Sequence, residues 1–356
     1  MTIIGIAGCS ALLVSGFGIN DSIGDIAAQQ YGNIYLYNAT VGTEDDSNSH
    51  LLDQLQELEG VQEAAKERQT NMIADYEDEE HTVTAHIIED ASDFSEFTSL
   101  KTEKGESLKL DDSGVIVSQK LASKMQLETG DTFTIKDSDE HPVEMKVAGI
   151  FENYVGHHIY MIENYFETLD TNIDPNSIYM IKTEDQSEDF EDQLGKQLME
   201  LDTVNSVTFY SSLQKNFTDM ISSISFIVVV LVISAALLAF VVLYNLSNVN
   251  ISERVREIAT IKVLGFTRRE VNQYVNREGI LLAMMGAVLG LVIGIGLHHL
   301  IMNLAEMDDV MFGRTILPQS YFYSFALTML FTFIINFFMS FKLKKIQMVE
   351  SLKAVE

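Results

Sequence analysis

Two long uncharged stretches near the C-terminal end constrain this chain more than any other feature of its sequence. No aspartate, glutamate, lysine or arginine occurs between Asp219 and Glu253, and none occurs between Glu278 and Glu306. A helix needs about 20 apolar residues to cross the hydrocarbon core of a bilayer, and each stretch is longer than that. The sequence therefore predicts two membrane-spanning helices joined by a short segment, residues 250–278.

The joining segment is basic, although the protein as a whole is strongly acidic. Its lysines and arginines are Arg254, Arg256, Lys262, Arg268, Arg269 and Arg277. Short loops rich in these residues stay on the cytoplasmic side of a membrane. We therefore expect residues 250–278 to form an intracellular contact surface, from which the other parts of the chain can be oriented.

The same segment has internal order. Four apolar residues recur at helical spacing and predict an amphipathic helix. They are Ile251, Val255, Ile258 and Ile261. Gly265 then indicates the end of this helix, and Thr267 with Glu270 has the capping-box pattern that begins another. The alternative is a solvated loop whose arginines only fix the topology.

The acidic residues are concentrated in one region. Between Asn20 and Met220 there are 43 acidic residues against 12 basic ones, a net charge of about −31, whereas the remainder of the chain is close to neutral. This asymmetry separates a soluble acidic domain from a membrane part, and it argues against nucleic acid as a partner because phosphates would be repelled. Cys9 is the only cysteine, so no intrachain disulfide is possible.

Charge also places the remaining membrane helices. Residues 2–20 are uncharged and predict a first helix, which lacks the basic anchor expected at its cytoplasmic end and so suggests that the chain begins part-way into its natural context. We divide the chain into this helix at 1–20, an extracytoplasmic α+β domain at 21–215, and a membrane domain at 216–356. The helices of the last part are expected at about 221–247, 280–302 and 317–341.

Three glycines mark the helix expected at 280–302. Gly286, Gly290 and Gly294 are spaced by four, and small residues at this spacing form a ridge that lets another helix approach closely. We expect this ridge to serve helix packing, in a bundle or a dimer. His298 and His299 follow, and we expect them to be interfacial polar residues because no cysteine or carboxylate stands at a spacing that would complete a metal site.

The acidic region alternates between strand-like and helical patterns. Residues 31–37 alternate like a strand, and Ser118 is expected to cap a helix that continues through Leu127. His157 and His158 are the most enzyme-like pair in the region, and we expect them at a strand edge instead of in a catalytic or metal site.

The usual signatures of catalysis are missing from the sequence. It contains no GxxxxGK[ST] pattern for cradling ATP phosphates, and neither HExxH nor GxSxG. The apolar stretches hold no aspartate, glutamate, lysine or arginine that would mark an ion path, which disfavours an ion-coupled transporter. We expect no catalytic residue, no metal and no bound cofactor.

The basic segment resembles a known signature. Arg256-Glu257-Ile258-Ala259, Lys262, Leu264-Gly265 and Arg268-Arg269 resemble the cytoplasmic signature of the FtsX-like, MacB-type ABC transporter permeases. The resemblance implies an extracytoplasmic domain of the MacB periplasmic-core type, with a ferredoxin-like half and a smaller β-rich half. It also implies that the segment docks on a separate ATPase subunit. The expected coupling surface is Arg254, Arg256, Glu257, Lys262, Leu264, Gly265, Phe266, Arg268 and Arg269.

This resemblance implies a permease subunit in a bacterial plasma membrane, with the acidic domain outside. ATP hydrolysis on the separate ATPase would move the segment, and the motion would be relayed to the outer domain for export or extraction of a substrate. A second permease half, or a second copy of the chain, would complete the complex among membrane lipids. Two alternatives stay open: a regulator that activates a cell-wall hydrolase across the membrane, and a membrane-tethered binding module or enzyme without an ATPase.

Overall fold

The computed structural model describes residues 2–24, 26–43, 50–77, 79–137, 139–201, 203–253 and 255–344. The chain forms two compact units. The helical unit consists of Met1–Gly24, Ile221–Ala305 and Gly313–Glu356, and the α+β unit consists of Asp25–Met220 and Glu306–Phe312. The division made from the sequence had left residues 306–312 with the membrane part, whereas here they belong to the α+β unit.

Nine strands organise the described part of the α+β unit. They are β1 (Ala39–Thr43), β2 (Val61–Tyr76), β3 (Glu79–Ile88), β4 (Val115–Ser118), β5 (Thr132–Lys136), β6 (Pro142–Phe151), β7 (His158–Ile162), β8 (Asn176–Thr183) and β9 (Val204–Phe209). Their order in the sheet is β3-β7-β4-β6-β5-β2-β8-β1-β9, and β3 also pairs with β2. The mixed α+β class expected from the sequence is thus confirmed.

The first six strands in this order close on themselves through the pairing of β3 with β2. Alternating residues point to the inside, which is why the strands carry buried apolar side chains at every second position. Met72, Val83, Val117, Phe133 and Ile159 meet in this core, and all are at most 5% exposed. The closed sheet is the β-rich half of the unit.

The other half is an open sheet with the order β2-β8-β1-β9, in which every neighbouring pair is antiparallel. Two helices, α3 (Leu51–Glu57) and α7 (Glu188–Met199), cover it. Leu51 and Leu55 of α3 pack with Leu194 and Leu198 of α7 against the sheet. This is the βαββαβ arrangement of a ferredoxin-like unit. The 16-residue β2 belongs to both halves.

The prediction of a strand at residues 31–37 is wrong. The short helix α2 (Ile26–Ala28) is followed by a π-helical turn, Gln29–Ile34, and only Tyr35 makes a bridge, with Thr98. The physical reason is aromatic packing. The turn brings Tyr31 and Tyr35 within 6.2 Å of each other, and both rings lie about 5.5 Å from that of Tyr210.

The helix expected from Ser118 through Leu127 is shorter than predicted. Helix α5 spans Gln119–Lys124, and Gln126 then takes a left-handed backbone conformation (φ +55°) that ends it. The Ser118 hydroxyl does not cap the helix, because it accepts a hydrogen bond from the His158 backbone N–H at 3.1 Å. The remaining helices of this unit are α4 (Ala91–Phe97) and α6 (Glu163–Phe166).

The helical unit is built from α1 (Thr2–Gly24), α8 (Tyr210–Glu253), α9 (Val255–Val263), α10 (Arg268–Ala305) and α11 (Pro318–Lys344). Among the described residues, four helical segments have the length and apolar composition to cross a membrane. Helix α8 has 44 residues, which at 1.5 Å per residue is about 66 Å. Its first residues, Tyr210–Met220, belong to the α+β unit.

Candidate functional site

The basic segment folds as a helix, a glycine turn and a second helix. Helix α9 ends at Val263, and Gly265 takes the left-handed conformation (φ +92°) that commonly terminates helices. The Phe266 backbone N–H then donates to the Ile261 carbonyl across the turn, at 3.4 Å. Helix α10 begins three residues after Gly265, so the second helix of the segment and the membrane helix expected at 280–302 are one continuous helix.

The capping box predicted at the start of α10 is present. The Thr267 backbone N–H donates to the Glu270 carboxylate at 2.8 Å, and the Glu270 backbone N–H donates to the Thr267 hydroxyl at 3.4 Å. The hydrogen bonds from Thr267 hold the pKa of the Glu270 carboxyl below its ordinary value. These reciprocal bonds fix the angle at which the chain leaves the turn.

The apolar side of α9 anchors the segment to the membrane helices. Ile258 is only 1% exposed and packs with Leu243 of α8, Val271 of α10 and Met339 of α11. The helical spacing of the isoleucines pointed to this face in the sequence. Its partners could not be found in that way, because they come from three helices that are distant in the chain. The anchored side therefore makes α9 part of the helical unit.

The turn itself carries an exposed apolar tip. Val263, Leu264 and Phe266 are 60%, 71% and 53% exposed. The side chains of Arg256 and Glu257 are also exposed, and they lie on α9 away from the buried Ile258. The tip is thus a cluster of three apolar side chains that no other described residue covers, on a segment whose opposite side is firmly packed.

The other residues expected at this surface are placed by the backbone. Lys262 belongs to the last turn of α9, and Arg268 and Arg269 are the first two residues of α10. Arg254 lies outside the described residues. The backbone therefore places Lys262 just before the apolar tip and Arg268 and Arg269 just after it, and their role as a coupling surface stays a prediction.

The glycine ridge of α10 faces α1. A Cβ atom at Gly286 would lie 2.8 Å from the Ile6 Cβ atom, and one at Gly294 would lie 2.7 Å from the Val14 Cβ atom. The Ser10 hydroxyl donates to the Ala287 carbonyl at 3.2 Å, next to the third member, Gly290. The ridge thus packs against a helix of the same chain, at a separation that only small residues allow.

Two of the histidines singled out in the sequence are buried. His298, expected at a membrane interface, is fully buried, and its Nε2 lies 3.0 Å from the Ser22 hydroxyl oxygen. His157 is buried and His158 is half-buried, and β7, which begins at His158, lies between β3 and β4 in the closed sheet and is not an edge strand.

A buried chain of polar groups holds one of these histidines. The His158 Nδ1 lies 2.9 Å from the His86 Nε2, and the His86 Nδ1 lies 3.2 Å from the Glu67 carboxylate. Burial, together with the electrostatic effect of the neighbouring His86, lowers the pKa of His158 to about 3. No group of three or more histidine, cysteine or carboxylate side chains among the described residues could hold a metal ion.

Two family models match different parts of the chain. Residues 220–348 match the family model described as FtsX-like permease C-terminal, and residues 2–197 match the model described as MacB-like periplasmic core domain. A relative in Bacillus subtilis (strain 168), the uncharacterized ABC transporter permease YknZ, is 25% identical over 257 residues, which is 68% of this chain. The chain covers 64% of that relative's length.

Solved structures with some likeness are extracytoplasmic regions. The extracellular domain of the ABC-type transporter YknZ from Gram-positive bacteria is 18% identical with a TM-score of 0.30, and covers 48% of this chain and 98% of its own. The periplasmic region of MacB from Actinobacillus actinomycetemcomitans is 12% identical with a TM-score of 0.31, and covers 53% of this chain and 96% of its own.

Proposed function

Since this chain belongs to the MacB/FtsX-like family of ABC transporter permeases, we propose that residues 250–278 dock on a separate ATPase subunit. The ATP-driven motion of that subunit is relayed through the membrane to the α+β unit. There it drives export or extraction of a substrate. In this proposal the ATPase, and not this chain, hydrolyses ATP.

The exposed tip of Val263, Leu264 and Phe266 carries this proposal. Clustered apolar side chains that are more than half exposed mark a protein–protein or membrane contact. The basic residues on both sides favour the cytoplasmic face. Because Ile258 fixes the opposite side of α9 to the membrane helices, a partner that pushes on the tip also moves those helices.

The two arginines at the start of α10 support an acidic partner. The N-terminal end of a helix carries partial positive charge, so Arg268 and Arg269 are repelled there and gain nothing from the helix itself. Their position is accounted for if carboxylates of the ATPase pair with them. Complementary charge of this kind sets the orientation in which two proteins meet.

Helix α8 is the proposed path of the relay. It runs without interruption from Glu253, next to the docking segment, to Tyr210 in the α+β unit. A continuous helix transmits displacement along its axis because every turn is braced by backbone hydrogen bonds. Substrate is then handled at the α+β unit, which fits the absence of charged residues in the apolar stretches.

The docking assignment can be tested by charge reversal. The chain is coexpressed with the partner ATPase from the same genome, and Arg268 and Arg269 are both replaced by glutamate. We expect loss of copurification and of stimulated ATP hydrolysis. Lys109→Glu with Lys196→Glu, an equal charge reversal at two exposed positions of the α+β unit, is the matched control and should retain both. Unchanged copurification and stimulation in the double variant would contradict the assignment. If the α+β unit of the intact complex instead captures a cell-wall hydrolase, the regulator alternative is favoured.

The orientation can be tested with the same chain. We propose that it lies in the plasma membrane with the α+β unit outside. Cys9 is replaced by alanine, and a single cysteine is placed at the exposed Ser95 or at the exposed Ser252. In intact cells an impermeant maleimide should label the cysteine at position 95 and not the one at 252. The opposite pattern would overturn the docking proposal as well.

A further inference from the structure

The segment that connects α10 to α11 is built into the α+β unit. The Gly156 backbone N–H donates to the Asp309 carbonyl, and the Met311 backbone N–H donates to the Tyr154 carbonyl, both at 2.8 Å. Val310 is bridged to Val155 between these bonds. The segment Glu306–Phe312, which we call the connecting loop, therefore pairs with residues 154–156 like a short strand.

Two lysines of α5 hold the connecting loop by its carboxylates. The Lys120 Nζ lies 3.3 Å from the Glu306 carboxylate, and both side chains are about nine-tenths buried. One turn later the Lys124 Nζ lies 2.6 Å from the Asp308 carboxylate and 2.9 Å from that of Glu77. Removing one partner of a buried pair leaves an uncompensated charge, which makes the Lys120–Glu306 contact hard to break.

The opposite side of α5 lines a cavity. Gln119, Ala122 and Ser123 belong to the wall of a space of about 600 Å³, whose floor includes Leu108 and Ile150. A helix of six residues thus holds the connecting loop on one side and borders the cavity on the other. Any displacement of the loop that α5 follows will change the shape of this cavity.

We propose that the connecting loop is a second transmission link, which carries movement of α10 and α11 to α5 and so reshapes the cavity that α5 lines. The inference rests on the proposed function for its source of motion. It assigns to Lys120, Lys124, Glu306 and Asp308 the role of positioning residues that keep the loop attached throughout the ATP cycle.

The sequence makes a sensitive test possible. The chain contains no tryptophan and one cysteine, Cys9, so introduced residues give signals that are unique within this chain once Cys9 is replaced by alanine. Ser123→Trp places an emitter on α5 at the cavity wall. In the complex with the ATPase, we expect ATP to change the tryptophan fluorescence beyond any change seen in the same complex without Ser123→Trp. A complex that assembles and hydrolyses ATP but shows no change would overturn the link and leave the docking proposal intact.

Neutralising the carboxylates of the connecting loop tests its attachment to α5 separately from docking on the ATPase. Glu306→Gln with Asp308→Asn keeps the shape of the loop and removes both charges. We expect copurification with the ATPase to persist. On addition of ATP, the tryptophan fluorescence should stay at the level of the nucleotide-free complex. The control is Glu63→Gln, because the Lys182–Glu63 pair elsewhere in the unit has nearly the same exposure (21% and 48%) as Lys124–Asp308 (22% and 47%).

A disulfide should rescue the neutralised loop. Bridged strand residues have Cα atoms about 5 Å apart, within the range that a disulfide spans. Val155→Cys with Val310→Cys should therefore cross-link and restore the fluorescence change, and a reductant should abolish it again. A neutralised loop that keeps its full response, or a formed cross-link that restores nothing, would show that the loop does not transmit motion.

Discussion

The hydroxyl oxygens of Tyr37 and Tyr210 lie 2.7 Å apart, so the first residue of α8 is hydrogen-bonded to the chain just ahead of β1. The rings of Tyr31 and Tyr35 pack against Tyr210 as well. Burial raises the pKa of both bonded hydroxyls well above the ordinary tyrosine value, so each stays neutral. This aromatic joint fixes the end of α8 that lies in the α+β unit.

The joint should be energetically coupled. Tyr210→Phe leaves the buried Tyr37 hydroxyl without its partner, and we expect a loss of about 1–3 kcal/mol in the free energy of unfolding. The double variant with Tyr37→Phe should recover part of that loss, since neither hydroxyl is then stranded. Urea unfolding of the full chain in detergent micelles measures the cycle, with the exposed Tyr323→Phe as the control. Strictly additive single effects would contradict the coupling.

The exposed tip should matter for docking and not for folding. Phe266→Ala is expected to lower stimulated ATP hydrolysis at least tenfold, because truncating a central aromatic anchor at an interface costs about 2 kcal/mol or more. Met199→Ala on α7, outside the docking segment, is the control, since the Met199 and Phe266 side chains are equally exposed at 53%. Thermal unfolding of both variants should be nearly unchanged. Equal loss of stimulation in the two variants would assign the effect to general surface disturbance.

The glycine ridge should tolerate no side chain where α1 passes. A Cβ atom at Gly290 would lie 2.5 Å from the Ser10 Cβ atom and 2.6 Å from the Ala7 carbonyl oxygen. Gly290→Ala must push the helices apart, and we expect it to destabilise the full chain by about 1–3 kcal/mol.

Gly296 provides the control on the same helix. No neighbouring atom lies within 4 Å of a Cβ built there, so Gly296→Ala should be neutral or should stabilise by up to about 1 kcal/mol. Thermal unfolding in detergent measures both changes. Similar melting temperatures for the two variants would mean that α1 and α10 are not closely packed at the ridge.

Acid should weaken the α+β unit through His158. The unfolded chain binds a proton at this residue below its ordinary pKa of about 6.5, whereas burial lowers the folded pKa to about 3. Above pH 6.5, His158 is neutral in both the folded and the unfolded chain, and its full contribution to the free energy of unfolding is present. It falls by up to about 1.4 kcal/mol per pH unit as the pH drops from there towards 3.

The slope of stability against pH is the measurement that isolates this histidine. Urea unfolding of the full chain in detergent between pH 7 and pH 4, followed by near-ultraviolet circular dichroism of its tyrosines, gives that slope. His158→Asn should flatten it by about one proton, and the exposed His50→Asn should leave it unchanged. An unaltered slope in the first variant would mean that His158 is already protonated in the folded protein at pH 4.

Local signals allowed the basic segment to be predicted closely. Gly265 ends one helix and the Thr267–Glu270 pair begins the next, and both effects act over three or four residues, so the sequence alone displays them. The spacing of Ile258 with the other apolar residues of α9 was enough to predict that it lies on a buried face. Its partners Leu243 and Met339 could not be identified, because they are brought together only when four helices assemble.

Non-local contacts account for what the sequence missed. The connecting loop reads as an exposed acidic turn, and only its pairing with residues 154–156 and with Lys120 reveals that it belongs to the α+β unit. The segment 31–37 has a strand-like pattern, yet packing of its tyrosines against Tyr210 decides its conformation. His158 gave no sign of burial, since its partners His86 and Glu67 are far from it in the chain.

The long strand β2 has a mechanical consequence for the whole α+β unit. At Arg68 and Gln69 it is paired with β3 on one edge and with β8 on the other. The same two residues therefore belong to both the closed sheet and the open sheet. Tilting the closed sheet relative to the open sheet would break main-chain hydrogen bonds of β2 at these two residues. We therefore expect a pull applied at Tyr210 to reach the closed sheet, with the two halves of the unit moving as one rigid body.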